Sequence, residues 1–168
     1  MIKVKFIQIF FIFTFLTSIG SSASFEQNGV NEGNVKLSAA LYSTQSSDEF
    51  DTFGLTTQLG YFFTDRIEVL IGLDIDVERD EIYYTLAPGI SYYFYKTLIT
   101  SSYIGAKLYY WNTSNEYIEE KKGNTFYLGT DLFISENVAI TPEIGINYLD
   151  FKTKKGTYFN TYLTYFFK

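Results

Sequence analysis

Hydrophobic and polar residues alternate along most of the chain with a period of two. In the segment 67–78, "IEVLIGLDIDVE", every second residue is Ile, Val or Leu, and four of the intervening positions are Asp or Glu. Such alternation is typical of a β-strand with one apolar and one polar face. A soluble sheet would bury the apolar face, whereas a transmembrane barrel would turn it to lipid and enclose the carboxylates.

Eight segments of this kind follow one another, and no helical period interrupts them. Their approximate spans are 34–43, 52–63, 67–78, 82–95, 98–111, 124–134, 138–149 and 157–167. Short connections at 64–66, 96–97 and 135–137 alternate with connections at 44–50, 78–81, 112–123 and 150–156, which are longer apart from 78–81. An even strand number with this alternation predicts an all-β fold, an eight-stranded antiparallel up-and-down transmembrane β-barrel, over residues 34–168.

The two faces of these strands differ in side-chain size and charge. The apolar parity carries Leu, Ile, Val, Phe and Tyr without a charge, and that volume would overfill an eight-stranded interior. The polar parity holds all seven glycines within the segments, where they leave room beside large tyrosines. These glycines are Gly54, Gly60, Gly72, Gly89, Gly105, Gly129 and Gly145. We therefore expect the apolar face to point outwards and the polar face to line the lumen.

The expected lumen has a charged network. Its members are Lys36, Asp74, Asp76, Lys107, Asp131 and Glu143. Because an enclosed charge without a partner costs several kcal/mol, we expect Lys107 to bridge Asp74 or Glu143, with tyrosine hydroxyls completing the hydrogen bonds. Trapped water that solvates each group separately is the alternative.

The dimensions suit a membrane. Eleven residues at ~3.3 Å each, tilted by ~45°, give an apolar band about 25 Å high, the height found in outer-membrane barrels. Aromatic residues collect at both ends of the outward parity, as interfacial girdles do. The expected girdles are Tyr61, Phe63, Tyr92, Phe94, Tyr165 and Phe167 at the short-turn, periplasmic rim, and Phe53, Tyr84, Tyr110, Phe126, Tyr148 and Phe159 at the outer rim.

Two prolines oppose this regular pattern. Pro88 and Pro142 lie in the middle of expected strands. Proline cannot donate a hydrogen bond to the ladder, and a closed barrel offers it no free edge. We expect a bulge or a lost hydrogen bond at each.

The N-terminus is typical of an exported protein. Lys3 and Lys5 precede a short apolar stretch, and the small residues Ser21 and Ala23 follow it. This pattern predicts a signal peptide over 1–23 that is cleaved before Ser24, and a short periplasmic leader over 24–33. Cleavage would change the formal charge from −6 to −8. With no basic patch on the chain, no nucleic-acid partner is expected.

The turn "GYFFTDRIEV" (60–69), the signal peptide and the ending "TYLTYFF" are notable features of the chain. In these features the chain resembles small outer-membrane β-barrel proteins of the OmpA/OmpX-like, porin-family type. In that family the last strand carries alternate apolar residues and ends in an aromatic, a signal read by the barrel-assembly machinery. The resemblance therefore implies an assembly signal, at Phe159, Leu163, Tyr165 and Phe167. Lys168 follows the expected terminal aromatic residue.

The composition leaves little room for catalysis. The chain has no His and no Cys, which removes the usual general base, the commonest metal ligand and any thiolate site. Outer-membrane enzymes of similar size depend on His, so we expect no enzyme and no cofactor. Asp74 and Asp76 could form a carboxylate pair, but polar lumen lining is the ordinary role of such residues. The acidic clusters at 48–51 and 116–120 follow no known calcium-loop spacing, so we expect solvated loops rather than metal sites.

Three functions remain. The first is a structural or surface-interaction protein, for adhesion or envelope integrity, in the outer membrane of a Gram-negative bacterium. Its expected partners are outer-membrane lipid, the barrel-assembly machinery and an extracellular ligand at the loops 44–50 and 112–123, and we expect a monomer. The second is a narrow pore for small solutes. The third is a secreted, lipocalin-like binding barrel, which would need its apolar parity inside.

Overall fold

Eight antiparallel strands form one closed barrel. The computed structural model describes residues 28–45, 51–78, 81–113, 121–149 and 153–168. The strands are β1 (Val35–Gln45), β2 (Asp51–Phe62), β3 (Ile67–Glu78), β4 (Glu81–Lys96), β5 (Thr100–Thr113), β6 (Lys121–Phe133), β7 (Val138–Leu149) and β8 (Thr153–Phe167). Each strand pairs with its neighbours in sequence, and β1 pairs with β8. The predicted eight-stranded up-and-down barrel is thus confirmed.

The strands are longer than the sequence suggested at one end of the barrel. We call the end where β1 begins and β8 ends the terminal rim, and the opposite end the distal rim. Parts of the expected loops 112–123 and 150–156 belong to β5, β6 and β8. Charged residues and glycines made these stretches resemble loops, but ladder hydrogen bonds form between backbones and continue beyond the apolar band. The connection expected at 150–156 is consequently reduced to 150–152, which is no longer than 97–99 at the terminal rim.

The outward and inward parities are as the sequence predicted. Ile71, Leu86 and Ile104 are among the large apolar side chains exposed on the outside. Lys36, Lys107 and other members of the polar parity are buried inside the barrel. The aromatic residues expected in the two girdles are exposed, except for Tyr148, which is half-buried and packs edge-on against Phe126.

Glycines on the inward parity make room for tyrosine rings on neighbouring strands. A Cβ at Gly129 would lie 2.3 Å from the ring of Tyr103, and one at Gly145 would lie 2.3 Å from the ring of Tyr158. Since carbon atoms in van der Waals contact stay about 3.5 Å apart or more, any larger residue at these positions would displace the ring. The glycines therefore allow a barrel of only eight strands to hold large aromatic side chains.

The ladder is interrupted beside both prolines. Between β4 and β5, pairing stops at Leu86 and resumes in the same register at Gly89, so Pro88 lies in the gap. Between β6 and β7, pairing is missing between Ile140 and Glu143, where Pro142 lies. Each proline keeps its pairing to the strand on its other side. The register shifts lie elsewhere, between Tyr93 and Tyr95 in β4 and between Asn147 and Tyr148 in β7.

The described part of the leader folds across the terminal mouth of the barrel. Val30 is fully buried among Phe62, Phe133 and Phe166. Asn28 donates a hydrogen bond to the Ser101 hydroxyl, at 3.2 Å. The segment turns back towards β1 through a glycine, residue 33, with a φ of 85°, a conformation that glycine adopts without steric cost. The sequence did not predict that these residues close the mouth.

The seam between β1 and β8 is paired over only part of its length. Five pairs join the strands, from Val35 with Phe167 to Ala39 with Leu163. By contrast, β1 pairs with β2 along its whole length to Gln45. The seam is therefore paired at the terminal rim and unpaired towards the distal rim.

In the described residues, no helix is long and apolar enough to cross a membrane.

Candidate functional site in the barrel lumen

A charged group that we call the terminal cluster lies just above the aromatic layer of the mouth. It consists of Lys36 on β1, Glu68 on β3, Tyr93 on β4 and Asp131 on β6. The Lys36 Nζ is 3.1 Å from Asp131 Oδ1 and 4.0 Å from Glu68 Oε2. Every member is almost completely excluded from solvent. Because burial removes the hydration of each charge, the ion pair with Asp131 is what allows Lys36 to remain charged there.

The Tyr93 hydroxyl is the hydrogen-bonding centre of the terminal cluster. It accepts a hydrogen bond from Lys36 Nζ at 2.8 Å. It lies 3.0 Å from Asp131 Oδ2 and 3.2 Å from Glu68 Oε2, so its single proton serves one carboxylate at a time. Thr141 donates a further hydrogen bond to Asp131 Oδ1 at 2.7 Å. One tyrosine thus connects one cation with two carboxylates.

A second group, the central cluster, consists of Lys107 on β5, Glu143 on β7, Tyr103 on β5 and Tyr158 on β8. Lys107 Nζ and Glu143 Oε1 are 3.0 Å apart. Tyr158 donates to Glu143 Oε1 at 2.8 Å, and Tyr103 donates to Glu143 Oε2 at 3.1 Å. Lys107 Nζ also lies 4.2 Å from the centre of the Tyr127 ring, within the range of a cation–π interaction. Of the two partners the sequence suggested for Lys107, the structure brings Glu143 into contact.

The two clusters touch through tyrosine rings. The rings of Tyr93 and Tyr103 are 4.9 Å apart between centroids, and Lys36 Nζ lies 4.5 Å from the centre of the Tyr103 ring. Together with the mouth, the clusters fill the terminal half of the lumen with side chains.

The distal half of the lumen contains a cavity of about 480 Å³, which we call the distal cavity. Asp74 and Asp76 on β3 line it, together with Tyr42 on β1 and Tyr162 on β8. Thr56 donates a hydrogen bond to Asp74, and Tyr42 donates one to Asp76. Lys107 forms part of the lining and is already paired with Glu143. The cavity therefore has a lining of mixed polarity that includes two acidic side chains.

The six residues expected in the lumen network lie at three levels rather than in one network. Lys36 and Asp131 belong to the terminal cluster, Lys107 and Glu143 to the central cluster, and Asp74 and Asp76 to the distal cavity. Two members of the terminal cluster were missed. Glu68 shares the inward parity of Asp74 but stands next to a turn, which made it look solvated. Tyr93 lies inside the aromatic run "YYFY" (92–95), where neighbouring rings obscure which one is inward.

The charges and hydroxyl groups of this lumen can hold charge and bind polar groups. The two carboxylates of the distal cavity each accept a hydrogen bond from a different hydroxyl group. Among the residues that the structure describes, no three acidic side chains converge to hold a metal ion. The acidic stretch 116–120 and most of the stretch 48–51 lie outside the described residues.

The four residues of the expected assembly signal share the outer face of β8. Phe159, Leu163, Tyr165 and Phe167 are all exposed. Their side chains therefore project towards the surroundings of the barrel and not into its lumen.

Comparison with known proteins supports the fold alone. No protein-family model and no curated protein matches the chain. The N-terminal β-barrel domain of Pseudomonas aeruginosa OprF is similar in structure, with a TM-score of 0.63 and 15% identity over 81% of this chain and 98% of that chain. Ail, the attachment invasion locus protein of Yersinia pestis, has a TM-score of 0.43 and 16% identity over 81% of this chain and 99% of that chain. The OprF likeness shows a shared β-barrel fold, and the Ail likeness is too distant to add to it.

Proposed function

We propose that this protein is an integral outer-membrane β-barrel of a Gram-negative bacterium with a closed lumen, and that it acts as a structural or surface-interaction protein. The observation that carries this proposal is the inverted distribution of polarity. Among the side chains that the structure describes, thirty large apolar or aromatic ones are exposed, while the charges of both clusters are enclosed. Soluble proteins rarely expose apolar patches beyond a few hundred Å², whereas a lipid-facing barrel wall requires them.

The membrane location has a direct test. Cells that express the full chain are fractionated, and the membrane fraction is run on a gel with and without boiling. We expect the protein in the outer-membrane fraction, with a faster-migrating band before boiling that shifts on heating, because a closed barrel stays compact in detergent. A soluble periplasmic protein would support the lipocalin-like alternative instead, which needs the apolar parity inside.

The side chains packed in the terminal half of the lumen argue against a pore. Phe62, Phe133 and Phe166 pack around Val30 at the mouth, and Tyr93 and Tyr103 are fully buried above them. An eight-stranded interior has room for its own side chains or for one small ligand, whereas aqueous channels are found in barrels of about 16–18 strands. In a planar bilayer the purified barrel should show no steady conductance. A reproducible large open state would favour the narrow-pore function.

We propose that the distal rim is the part of the barrel that interacts with an extracellular ligand. The chain connections that include 46–50 and 114–120 are at this rim, so an extracellular ligand would meet them first. A peptide epitope inserted within 114–120 should be detected by antibody on intact cells. The same epitope inserted within 135–136, at the terminal rim, should be detected only after the outer membrane is permeabilised. The reverse result would mean that the barrel has the opposite orientation.

Export and assembly complete the proposal. We infer that residues 1–23, which lie outside the described residues, direct the chain to the periplasm, and that the barrel-assembly machinery then reads the outer face of β8. The barrel would act as a monomer without a cofactor. Phe167→Ala should slow the appearance of the heat-modifiable form in pulse-chase experiments, while Tyr92→Ala, which removes an outward aromatic from β4 at the same rim, should leave the rate unchanged. Equal rates for both variants would remove the β8 signal from the proposal.

A further inference from the structure

The unpaired part of the β1–β8 seam exposes two strand edges. Residues 40–45 of β1 pair only with β2, and residues 153–162 of β8 pair only with β7. Through the ladders, Ala40 is aligned with Asp74, and Ser43 is aligned with Phe53, one of the aromatic residues expected in the outer-rim girdle. The edges therefore run from the middle of the apolar band to its distal border. Unpaired backbone groups at membrane depth are tolerated only where they are buried in protein or line a water-filled cavity.

The distal cavity lies directly behind this seam. Tyr42 on β1 and Asn160 and Tyr162 on β8 all line it. No ladder pair joins these parts of β1 and β8. The cavity therefore adjoins the unpaired part of the seam.

Side-chain exposure on the outer face is high at the same part of the seam. Leu41 is 68% exposed and Leu163 is 60% exposed, the two highest values for leucine among the described side chains. Both flank the place where pairing between the two strands ends. A hydrocarbon chain at this place would cover apolar groups that the barrel leaves uncovered.

The charge of the distal cavity selects the kind of polar group that could enter it. Asp74 and Asp76 present carboxylates to the cavity, and both accept hydrogen bonds from uncharged hydroxyls. The one cationic group of the described lining, Lys107, is held by Glu143. An anionic head group would meet two carboxylates without a free cation, whereas a cationic head group would neutralise them.

We propose that the distal cavity and the open seam together bind a single-chain amphiphile with a cationic ammonium head. The head lies in the cavity beside Asp74 and Asp76, and the tail leaves between Leu41 and Phe159 into the surrounding hydrocarbon. The proposal rests on the membrane location proposed above. Flotation of the barrel with lipid vesicles tests the membrane location by itself. A wrong membrane location can therefore be distinguished from a wrong ligand site.

The first experiment tests the opening itself. The chain contains no cysteine, so pairs can be introduced without background. Ala39→Cys with Leu163→Cys joins two outward residues that are paired. Leu41→Cys with Thr161→Cys joins the two positions that would face each other if the same register continued. In lipid nanodiscs the first pair should oxidise to a disulfide at least tenfold faster than the second. Equal rates would mean that β1 and β8 pair along the whole seam, and this would overturn the proposal.

The second experiment tests the ligand. Dodecyltrimethylammonium, and dodecanoate as its anionic counterpart, are titrated into the barrel in nanodiscs, and backbone amide shifts are followed by NMR. We expect saturable shifts at Tyr42, Asn160 and Tyr162 with the cationic probe and none there with dodecanoate. Similar shifts with both probes, or shifts spread over all lipid-facing strands, would show unspecific partition and would overturn the proposal.

Two variants sharpen this second test. Asp74→Asn combined with Asp76→Asn should weaken binding of the cationic probe at least tenfold. Glu136→Gln removes a carboxylate at the terminal rim, where it pairs with Lys168 in an exposed position, and should leave the affinity within twofold. Unchanged affinity in the Asp74/Asp76 variant would overturn the proposal. If that variant does not fold, the comparison of the two probes on the unaltered barrel still decides the question.

Discussion

Removing Lys107 should destabilise the barrel chiefly through Glu143. Lys107→Met deletes the ammonium group that lies 3.0 Å from Glu143 Oε1 and leaves a carboxylate that is almost fully buried. Breaking a buried ion pair on one side costs about 3–5 kcal/mol. The two tyrosine hydroxyls that donate to Glu143 remain, so we expect the lower part of this range. If Glu143→Gln is introduced as well, no charge is left uncompensated, and part of the loss should be recovered.

A double-mutant cycle measures this recovery. Lys107→Met, Glu143→Gln and the double variant are unfolded with urea in lipid vesicles, and the free energies of unfolding are compared. We expect a coupling energy of about 1–3 kcal/mol, the range for residues in direct contact. The matched control replaces Glu143→Gln by Asp74→Asn. Asp74 accepts a hydrogen bond from Thr56. It interacts with Lys107 through charge but forms no ion pair with it, whereas Glu143 does, so its coupling energy should be clearly smaller than that of Glu143.

The cycle can refute the reasoning in two ways. A coupling energy near zero with Glu143 would mean that water solvates the two charges separately. A coupling energy with Asp74 equal to that with Glu143 would mean that Lys107 moves between the two carboxylates in the membrane.

Three further predictions test the faces, the packing and the mouth of the barrel. Ile71→Arg places a charge on the lipid face near mid-height and should cost about 2–4 kcal/mol; a variant that refolds in lipid as well as the original chain would contradict the outward assignment. Gly105→Ala brings a Cβ to 2.3 Å from the ring of Tyr127, whereas a Cβ at Gly156 meets nothing within 4 Å. Urea unfolding should therefore show a loss of about 1–3 kcal/mol for the first and little change for Gly156→Ala, and equal effects would contradict this packing. Val30→Ala removes two buried methyl groups at about 0.8 kcal/mol each, so a loss near 1.6 kcal/mol is expected by the same assay, and no loss would mean that the mouth is not packed.

The alternation of residues was sufficient to predict the barrel, because inward and outward positions differ in both size and charge. Strand ends were harder to predict. Residues 121–123, "KKG", look like a loop by composition, yet they belong to β6, since the backbone ladder does not depend on which side chains it carries. The alternation also could not show that pairing between β1 and β8 stops after Ala39.

The lumen was predictable as a set of residues but not as a set of contacts. Parity places Lys107, Asp74 and Glu143 inside, but which pair meets depends on the stagger between strands that are not neighbours in sequence. The Asp131 carboxylate and the Lys36 ammonium meet across the barrel, 95 residues apart in the chain. The burial of Asn28 and Val30 was beyond sequence reasoning, because it requires knowing the shape of the mouth that they fill.

The short β1–β8 ladder has a consequence for the rate at which the barrel forms. The hydrogen bond between Ser38 and Thr164, in this ladder, joins residues 126 positions apart, whereas β2 and β3 are joined across a connection of only four residues, 63–66. Closing the longer loop costs about five doublings of loop length, or about 3 kcal/mol more in chain entropy. Only five residue pairs repay this cost. Sealing of the barrel should therefore be the slow, late step of its folding, and backbone amides along the β1–β8 edge should exchange with solvent before those of the other ladders.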